Sequence, residues 1–449
     1  MRFTVADLLE LDGTLLVVGS PDDTFDGATQ DSRAVTGGEL FVPVADVRDG
    51  HDFIDDALAA GCAGYLTNGP RSGADSAFCV EVADPAGTLV SLGGRARRRL
   101  DDVLAITGSA GKTTTKDFLG AVLRRDAPTG VAAGSFNNEI GIPLTLVCTP
   151  DDARRCVVEI GARHVGDVAA GCKIVEPTVG IVTNVGMAHI GIFGSREAIA
   201  IAKGELVEAL PESGTAVLNA DDELVMAMTE RTQAAVVTFG SGPDADVYAE
   251  SLEIGDGLTA EFKLIVPDGS ADVRLDGAGV HIVECALAAA AAAQLRGIGA
   301  GEIAAGLEAA PRSAHRMKVE ASPGGWTVVD DSYNANPASM RAALETSALL
   351  AGATGRRLAL LGTMAELGDF APDAHREVGD LARGLGFMVV GVGEHSDHLA
   401  GEVAFDAGSG AKRLRELAGE FAPGDVILVK ASRAVGLDAA VPLLISEEF

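Results

Sequence analysis

Ala105-Ile106-Thr107-Gly108-Ser109-Ala110-Gly111-Lys112-Thr113-Thr114-Thr115 runs from an apolar strand through a glycine turn into a helix. Gly108 and Gly111 permit a turn tight enough for backbone N–H groups to face phosphate oxygens, and the helix that follows presents its positive end to the same point. Lys112 is placed to neutralise terminal phosphates, and the Thr113 hydroxyl to ligate Mg²⁺. Ile106 stands where G-x-x-x-x-G-K-[ST] has its first glycine, so the motif is a shortened G-x-x-G-K-T-T. Preceded by Val103-Leu104-Ala105-Ile106, it reads as a strand–loop–helix cradle for a nucleoside triphosphate.

Outward from this loop the chain reads as an α/β protein. Val157-Val158-Glu159, Val179-Gly180-Ile181-Val182-Thr183-Asn184 and Ala216-Val217-Leu218-Asn219 are apolar runs ending in polar residues. A parallel sheet presents its chemistry at its carboxyl edge in this way. Before the cradle, short β-like runs, a helix pattern over Asp52 to Ala60 and a loop over Asn68 to Ser76 describe a small α/β unit, residues 1–84. The central parallel-sheet ATP-binding unit then covers residues 85–313. From Ala314 the βα rhythm returns in Thr327–Asp330, Leu358–Leu361, Met388–Gly391 and Val426–Val429, a Rossmann-like unit spanning residues 314–449.

The 449 residues provide material for two or three cores. Met1 to Leu16 mixes Arg2, Asp7, Glu10 and Asp12 into its apolar residues, unlike a signal peptide. The longest apolar run, Ala286 to Ala293, is too short to span a bilayer. Six cysteines lack CxxC or Cys/His ligand spacing, and we expect reduced thiols and a cytoplasmic protein. A formal charge of −30 repels nucleic acid and anionic lipid. The one basic cluster, Arg95-Ala96-Arg97-Arg98-Arg99, reads as a solvated helix end.

Around the cradle, Glu159 ends a strand where its carboxylate would either face a metal held by Thr113 or act as a helix-capping or salt-bridged acid. His189 follows another strand end over the same edge. Lys203 lies in the helical stretch Ser195 to Leu210, where the residues alone favour a surface lysine.

Taken together, Thr107–Thr114, Asn137-Asn138-Glu139-Ile140-Gly141-Ile142-Pro143, Thr183–His189 and Asp330-Asp331-Ser332-Tyr333-Asn334-Ala335-Asn336-Pro337 occur in the order found in Mur ligases, and the whole chain resembles that family. Asp31-Ser32-Arg33 with Asp49 to Phe53 resembles an N-terminal UDP-recognising domain. Met364-Ala365-Glu366-Leu367-Gly368 and Lys430-Ala431-Ser432-Arg433 resemble the C-terminal domain. The spacing matches the branch that adds D-alanyl-D-alanine to a UDP-N-acetylmuramoyl-tripeptide for peptidoglycan synthesis, and hence for cell shape and division.

The resemblance implies ATP and Mg²⁺ as cofactors, an acyl-phosphate route to an amide, and a monomer. It implies that Lys203 is carbamylated and holds a second Mg²⁺ with His189, while Glu159 and Thr113 hold the first. Gly108, Ser109, Ala110, Gly111, Lys112, Thr113, Thr114 and Asn184 would bind the nucleotide. Arg316, Asp331 and Asn334 would bring the C-terminal domain onto it, with Asn336 nearby. Asn137 and Asn138 would line the acceptor cleft, and Ser32 and Arg33 would contact the UDP-sugar.

Two positions depart from the family pattern. Cys285 stands where the family usually has an Asn that reads adenine, and a thiol is a weak partner for a base. Arg163 stands where Asn is frequent; it reads either as a tolerated lineage variant or as a guanidinium that pairs with a substrate carboxylate or phosphate. Two rival readings use the same central motifs: an amide ligase of the same superfamily with another acid or amine in specialised metabolism, and a regulatory protein that binds ATP without ligating anything. The metal constellation of Glu159, His189 and Lys203 is superfluous in the second.

Overall fold

The computed structural model describes residues 1–45, 48–71, 77–255, 258–276, 279–311, 315–351 and 355–446. The junction expected at 313/314 and the end of the expected loop, residues 72–76, lie outside the described residues. Three larger sheets follow one another along the chain. The first orders strands Thr14–Val18, Phe78–Val82, Gly64–Thr67, Leu40–Phe41 and Ala28–Thr29. The third orders Lys318–Ala321, Thr327–Asp330, Val426–Lys430, Arg357–Gly362, Phe387–Val392 and Glu402–Ala404, parallel except for its first strand.

The middle sheet positions the site. Asp102–Thr107 lies between Arg155–Glu159 on one side and Val179–Val182 on the other, all parallel. Strand order reverses around Asp102–Thr107, and such a switch point opens a crevice beyond the carboxyl ends of the strands. Thr129–Val131 closes one edge, while Thr215–Asn219, Ala235–Gly240 and Val247–Gly255 continue the parallel sheet on the other. Two further strands, Thr259–Val266 and Gly269–Leu275, extend it antiparallel. This meander is absent from the sequence reading, although polar and apolar residues alternate along its strands and Asp268-Gly269 between them is a hairpin signal.

The helix Lys112–Asp126 leaves the cradle and packs against Val280–Gln294. Ala286 and Ala288 to Ala293 of that second helix are fully buried. The helix bearing Lys203 spans Arg196–Glu208 and is capped by the Ser195 hydroxyl, which accepts from the Ala198 N–H at 3.1 Å.

The basic cluster is not a solvated helix end. It closes the helix Pro85–Arg97 and fastens the N-terminal unit to the central sheet. Arg95 pairs with Asp7 at 2.9 Å and Glu10 at 2.6 Å. Arg97 donates to the carbonyl of Val175 at 2.5 Å, and the Arg99 guanidinium lies 4.2 Å from the Phe3 ring centroid. Local composition could not reveal this, because the partners lie about ninety residues away in sequence or across the sheet. All six cysteines are free thiols. Among the described residues, no helix is long and apolar enough to cross a membrane.

Candidate active site

One cavity of about 1120 Å³ opens at the carboxyl edge of the middle sheet. Gly108, Ser109, Ala110, Gly111, Lys112, Thr113 and Thr114 line it. Gly108 and Gly111 take φ of 153° and 80°, which favour glycine. A Cβ on Gly108 would lie 1.8 Å from the Thr183 hydroxyl, so a larger residue cannot occupy this turn.

Asn184 braces the loop instead of facing the cavity freely. Its Oδ1 accepts from the Ala110 N–H at 2.9 Å, its Nδ2 donates to the Ala110 carbonyl at 3.2 Å, and its own carbonyl accepts from the Ser109 N–H at 3.0 Å. The Ser109 hydroxyl accepts from the Gly186 N–H at 2.9 Å. Two loop amides expected to face phosphate are therefore already used, and the anion-facing donors are those at the start of the Lys112–Asp126 helix.

Lys112 Nζ donates to the Gly108 carbonyl at 2.8 Å. Burial lowers its pKa, the Arg316 charge lowers it further, and Glu159 opposes both. Glu159 is buried at the strand end, where its Oε2 accepts from the Thr113 hydroxyl at 2.8 Å and its Oε1 from the Asn137 amide at 2.7 Å. The Asn138 side chain accepts from the Gly141 N–H at 2.8 Å, which turns the chain into the helix Gly141–Val147.

Lys203 is 3 % exposed and makes no hydrogen bond or ion pair among the described residues. Burial, reinforced by the Lys112 charge, lowers its pKa well below the ordinary lysine value. The surface-lysine reading is thus overturned. A buried, uncompensated amine is costly as a cation and persists where something else compensates it. His189 has φ of 61°, and its Nδ1 meets Glu366 Oε2.

The C-terminal domain reaches the same cavity. Arg316 donates to the Thr113 hydroxyl oxygen at 3.2 Å and stacks on the Tyr333 ring at 4.2 Å from its centroid. Tyr333 in turn donates to the Ser135 hydroxyl at 2.7 Å. Asp331 is tied to its own domain: Oδ1 accepts from the Met317 N–H at 3.1 Å, and Oδ2 pairs with the buried ammonium of Lys430. Lys430 also donates to the Asn334 carbonyl at 2.8 Å.

Cys285 lies against the cradle, its thiol 3.6 Å from the Gly111 carbonyl, with burial pushing its pKa up to about 12. Beside it, burial raises Glu284, and burial with the Lys430 charge lowers His281 to about 4 against the opposing pull of Asp331. Ser32 and Arg33 do not line the cavity; they sit on the N-terminal unit, where the exposed Arg33 guanidinium is held by Asp31 at 2.8 Å.

Sequence reasoning missed Ser135, Tyr333, Lys116 and Glu366. Lys116, on the first turns of the cradle helix, is buried and donates to the carbonyls of Ala132 at 2.8 Å and Gly134 at 2.6 Å. It pins the segment that carries Ser135 and Asn137. A lysine four residues beyond Lys112, hence on the same helical face, was the available signal.

Among the described residues no cluster of three or more His, Cys, Asp or Glu side chains could hold a metal by itself. The fit to Mg²⁺ is of another kind: a hydroxyl and a carboxylate converge beside a phosphate cradle, and Mg²⁺ is commonly bound by one or two carboxylates together with substrate phosphates.

Comparison with known proteins agrees with this geometry. Residues 106–293 match the Mur ligase middle domain, and residues 315–433 match the Mur ligase glutamate ligase domain. The UDP-N-acetylmuramoyl-tripeptide–D-alanyl-D-alanine ligase of Mycobacterium tuberculosis is 39% identical, over 100% of this chain and 98% of that protein. The ligase of the same name from Escherichia coli is 34% identical over 94% of each. Among solved structures, MurF from Acinetobacter baumannii superposes with a TM-score of 0.84 at 30% identity, covering 99% of both chains. MurF from Thermotoga maritima in complex with ADP gives 0.78 at 28% identity, covering 93% of this chain and 96% of that one. With both domain families matched in order and relatives aligned along its full length, the chain belongs to the Mur ligase family.

Proposed function

We propose that the chain is an ATP-dependent amide ligase that joins D-alanyl-D-alanine to the terminal carboxylate of a UDP-N-acetylmuramoyl-tripeptide. Relatives aligned along 94% or more of its length carry that ligase name. The observation that carries the reading is that the phosphate cradle, the Thr113–Glu159 pair, His189 and Lys203, which has no hydrogen-bond or ion-pair partner among the described residues, line one cavity. A protein that only bound ATP would need the cradle and nothing more.

The chemistry is activation of an acid by phosphoryl transfer, with the dipeptide amine then displacing phosphate from the acyl phosphate. Lys112 holds the charge of the transferring group, and the helix N-terminus beside it adds oriented N–H donors. Arg316 adds a second cation from the C-terminal domain. Glu159 orients the Thr113 hydroxyl and the Asn137 amide, so the acceptor side and the nucleotide side of the cavity share one carboxylate. Thr113 and Glu159 are the residues that would hold one Mg²⁺, and His189 with a carbamylated Lys203 a second. Bound Mg²⁺ supplies neutralisation of the phosphate charge.

The environment of Lys203 supports the carbamate. A buried amine with a depressed pKa is neutral and nucleophilic, the form that adds CO₂ with loss of a proton, and the product would replace that neutral amine with an anion opposite the Lys112 charge. Residues 1–84 would grip the UDP end, using Ser32 and Arg33, with residues 85–313 and 314–449 closing on the nucleotide. We place the reaction in the cytoplasm, where ATP and nucleotide-linked precursors are held.

Phosphate release measured across UDP-muramoyl peptides and dipeptides tests the proposal. Release that requires both the tripeptide precursor and D-alanyl-D-alanine is expected. Release without a dipeptide, or only with another acid, overturns it.

A further inference from the structure

Glu366 sits in the turn that follows the strand Arg357–Gly362 and crosses from the C-terminal domain to the central one. One carboxylate oxygen meets His189 Nδ1, the other lies 3.2 Å from the Arg163 guanidinium, and the Glu366 carbonyl accepts from the Gly191 N–H at 3.0 Å. The two backbones touch here: a Cβ on Gly191 would lie 2.3 Å from the Gly368 nitrogen. His189 and Glu366 both have φ of 61°, a region that residues other than glycine occupy only when their surroundings hold them there.

The turn is also fixed from behind. The Met364 N–H donates to His375 Nε2 at 2.9 Å, His375 Nδ1 faces the Ala371 carbonyl at 2.7 Å, and the Ala365 N–H donates to the Ser432 hydroxyl at 2.8 Å. With one nitrogen accepting from a backbone N–H and the other facing a carbonyl, His375 is neutral with its proton on Nδ1. Glu366 is therefore delivered by a preorganised turn rather than by a mobile side chain.

We propose that Glu366 is a positioning residue, supplied by the C-terminal domain, that accepts the Nδ1 proton of His189 and so leaves Nε2 as the nitrogen presented to the cavity. Arg163 holds the second oxygen and keeps the carboxylate aimed. A carboxylate on the far nitrogen fixes both the tautomer and the orientation of a ligating histidine. Because that carboxylate belongs to another domain, the ring is oriented only while the C-terminal domain is seated, and the site is complete only when closed. Arg163 thereby acquires a partner within the chain, where the sequence had offered either a tolerated variant or a partner for a substrate anion.

The inference rests on reading His189 as a ligand in the proposed ligase, so its test is made on the free protein. In protein labelled with ¹⁵N-histidine, with the His189 signal assigned by its loss in His189→Gln, wild type should show the Nδ1-protonated tautomer. Glu366→Ala should shift it toward the Nε2-protonated form, whereas Glu366→Gln, which retains an accepting oxygen, should not. In ligation assays Glu366→Ala should lower kcat by about 10- to 100-fold, leave the KM for ATP unchanged and raise the Mg²⁺ concentration required. Arg163→Asn should keep the tautomer and lose less than about fivefold, as befits an exposed pair. An unchanged tautomer in Glu366→Ala, or equal losses in Glu366→Ala and Arg163→Asn, overturns the proposal, since a contact that merely joined the domains would give either. A tautomer shift in a protein that fails the ligation screen would remove the proposed function and leave the role of Glu366 standing.

Discussion

The Thr113 hydroxyl donates to Glu159 Oε2 at 2.8 Å, and the same oxygen accepts from Arg316 of the C-terminal domain at 3.2 Å. One small hydroxyl thus joins the cradle, the neighbouring strand end and the closing domain. Any shift of the C-terminal domain is felt directly beside the group expected to meet the phosphates. Two cations, Lys112 and Arg316, meet at the cradle against the single carboxylate of Glu159, and an anionic ligand would add to what Glu159 offsets.

Lys112→Ala removes the ammonium that serves charge developing on the transferring group. Ligation should fall by on the order of a hundredfold or more, with an unchanged circular dichroism spectrum, since the side chain's one hydrogen bond is to the nearby Gly108 carbonyl. Turnover at the wild-type rate would remove the phosphate loop from the mechanism.

Cys285→Asn replaces a neutral thiol by an amide next to the cradle. One added neutral hydrogen bond to the base is worth about 1 kcal/mol, so the KM for ATP should fall several-fold or the preference for ATP over GTP should sharpen. Steady-state kinetics with both nucleotides measures this. If neither changes, the base is read by other groups and Cys285 carries no role in its selection.

Lys203→Ala should lose most activity, and, if the proposed carbamate is the active form, acetate should restore part of it by supplying a carboxylate to the vacated space. Chloride at matched ionic strength is the control. Full activity without rescue would show that the buried amine is structural.

His281 gives a stability signature. Its folded pKa of about 4 lies below the ordinary 6.5 because burial and Lys430 disfavour the cation. Between these values the unfolded chain binds a proton that the native state refuses, so stability is lost as pH falls through that window. Denaturant unfolding of His281→Gln should show a loss between pH 7 and pH 4 that is smaller by on the order of 2 kcal/mol. Parallel wild-type and variant profiles would contradict the assignment.

The cradle and the strand ends were legible because glycine turns and apolar runs are local signals. Glu159 and His189 could be placed over one sheet edge for the same reason. Lys203 could not, since its helix carries apolar neighbours on more than one face and only the packed structure decides which face is buried. Arg95 and Arg99 were misread because their partners, Asp7 and Phe3, belong to a different unit. Glu366 was visible as part of a motif, yet its role required knowing that two turns, 177 residues apart, meet.

The buried alanines from Ala286 to Ala293 leave nothing longer than a methyl group, apart from Leu287, along most of the helix that packs on the cradle helix. Side chains that short have no rotamers to change, so the adjustable side of this contact is the cradle helix, through its buried Phe118, Leu119, Val122 and Leu123. One of the two packed surfaces behind the cradle is therefore fixed in shape. The departure from the family pattern at Cys285 lies on the first turns of that helix, against the Gly111 carbonyl of the cradle, so a change of side chain there leaves the alanine stretch untouched.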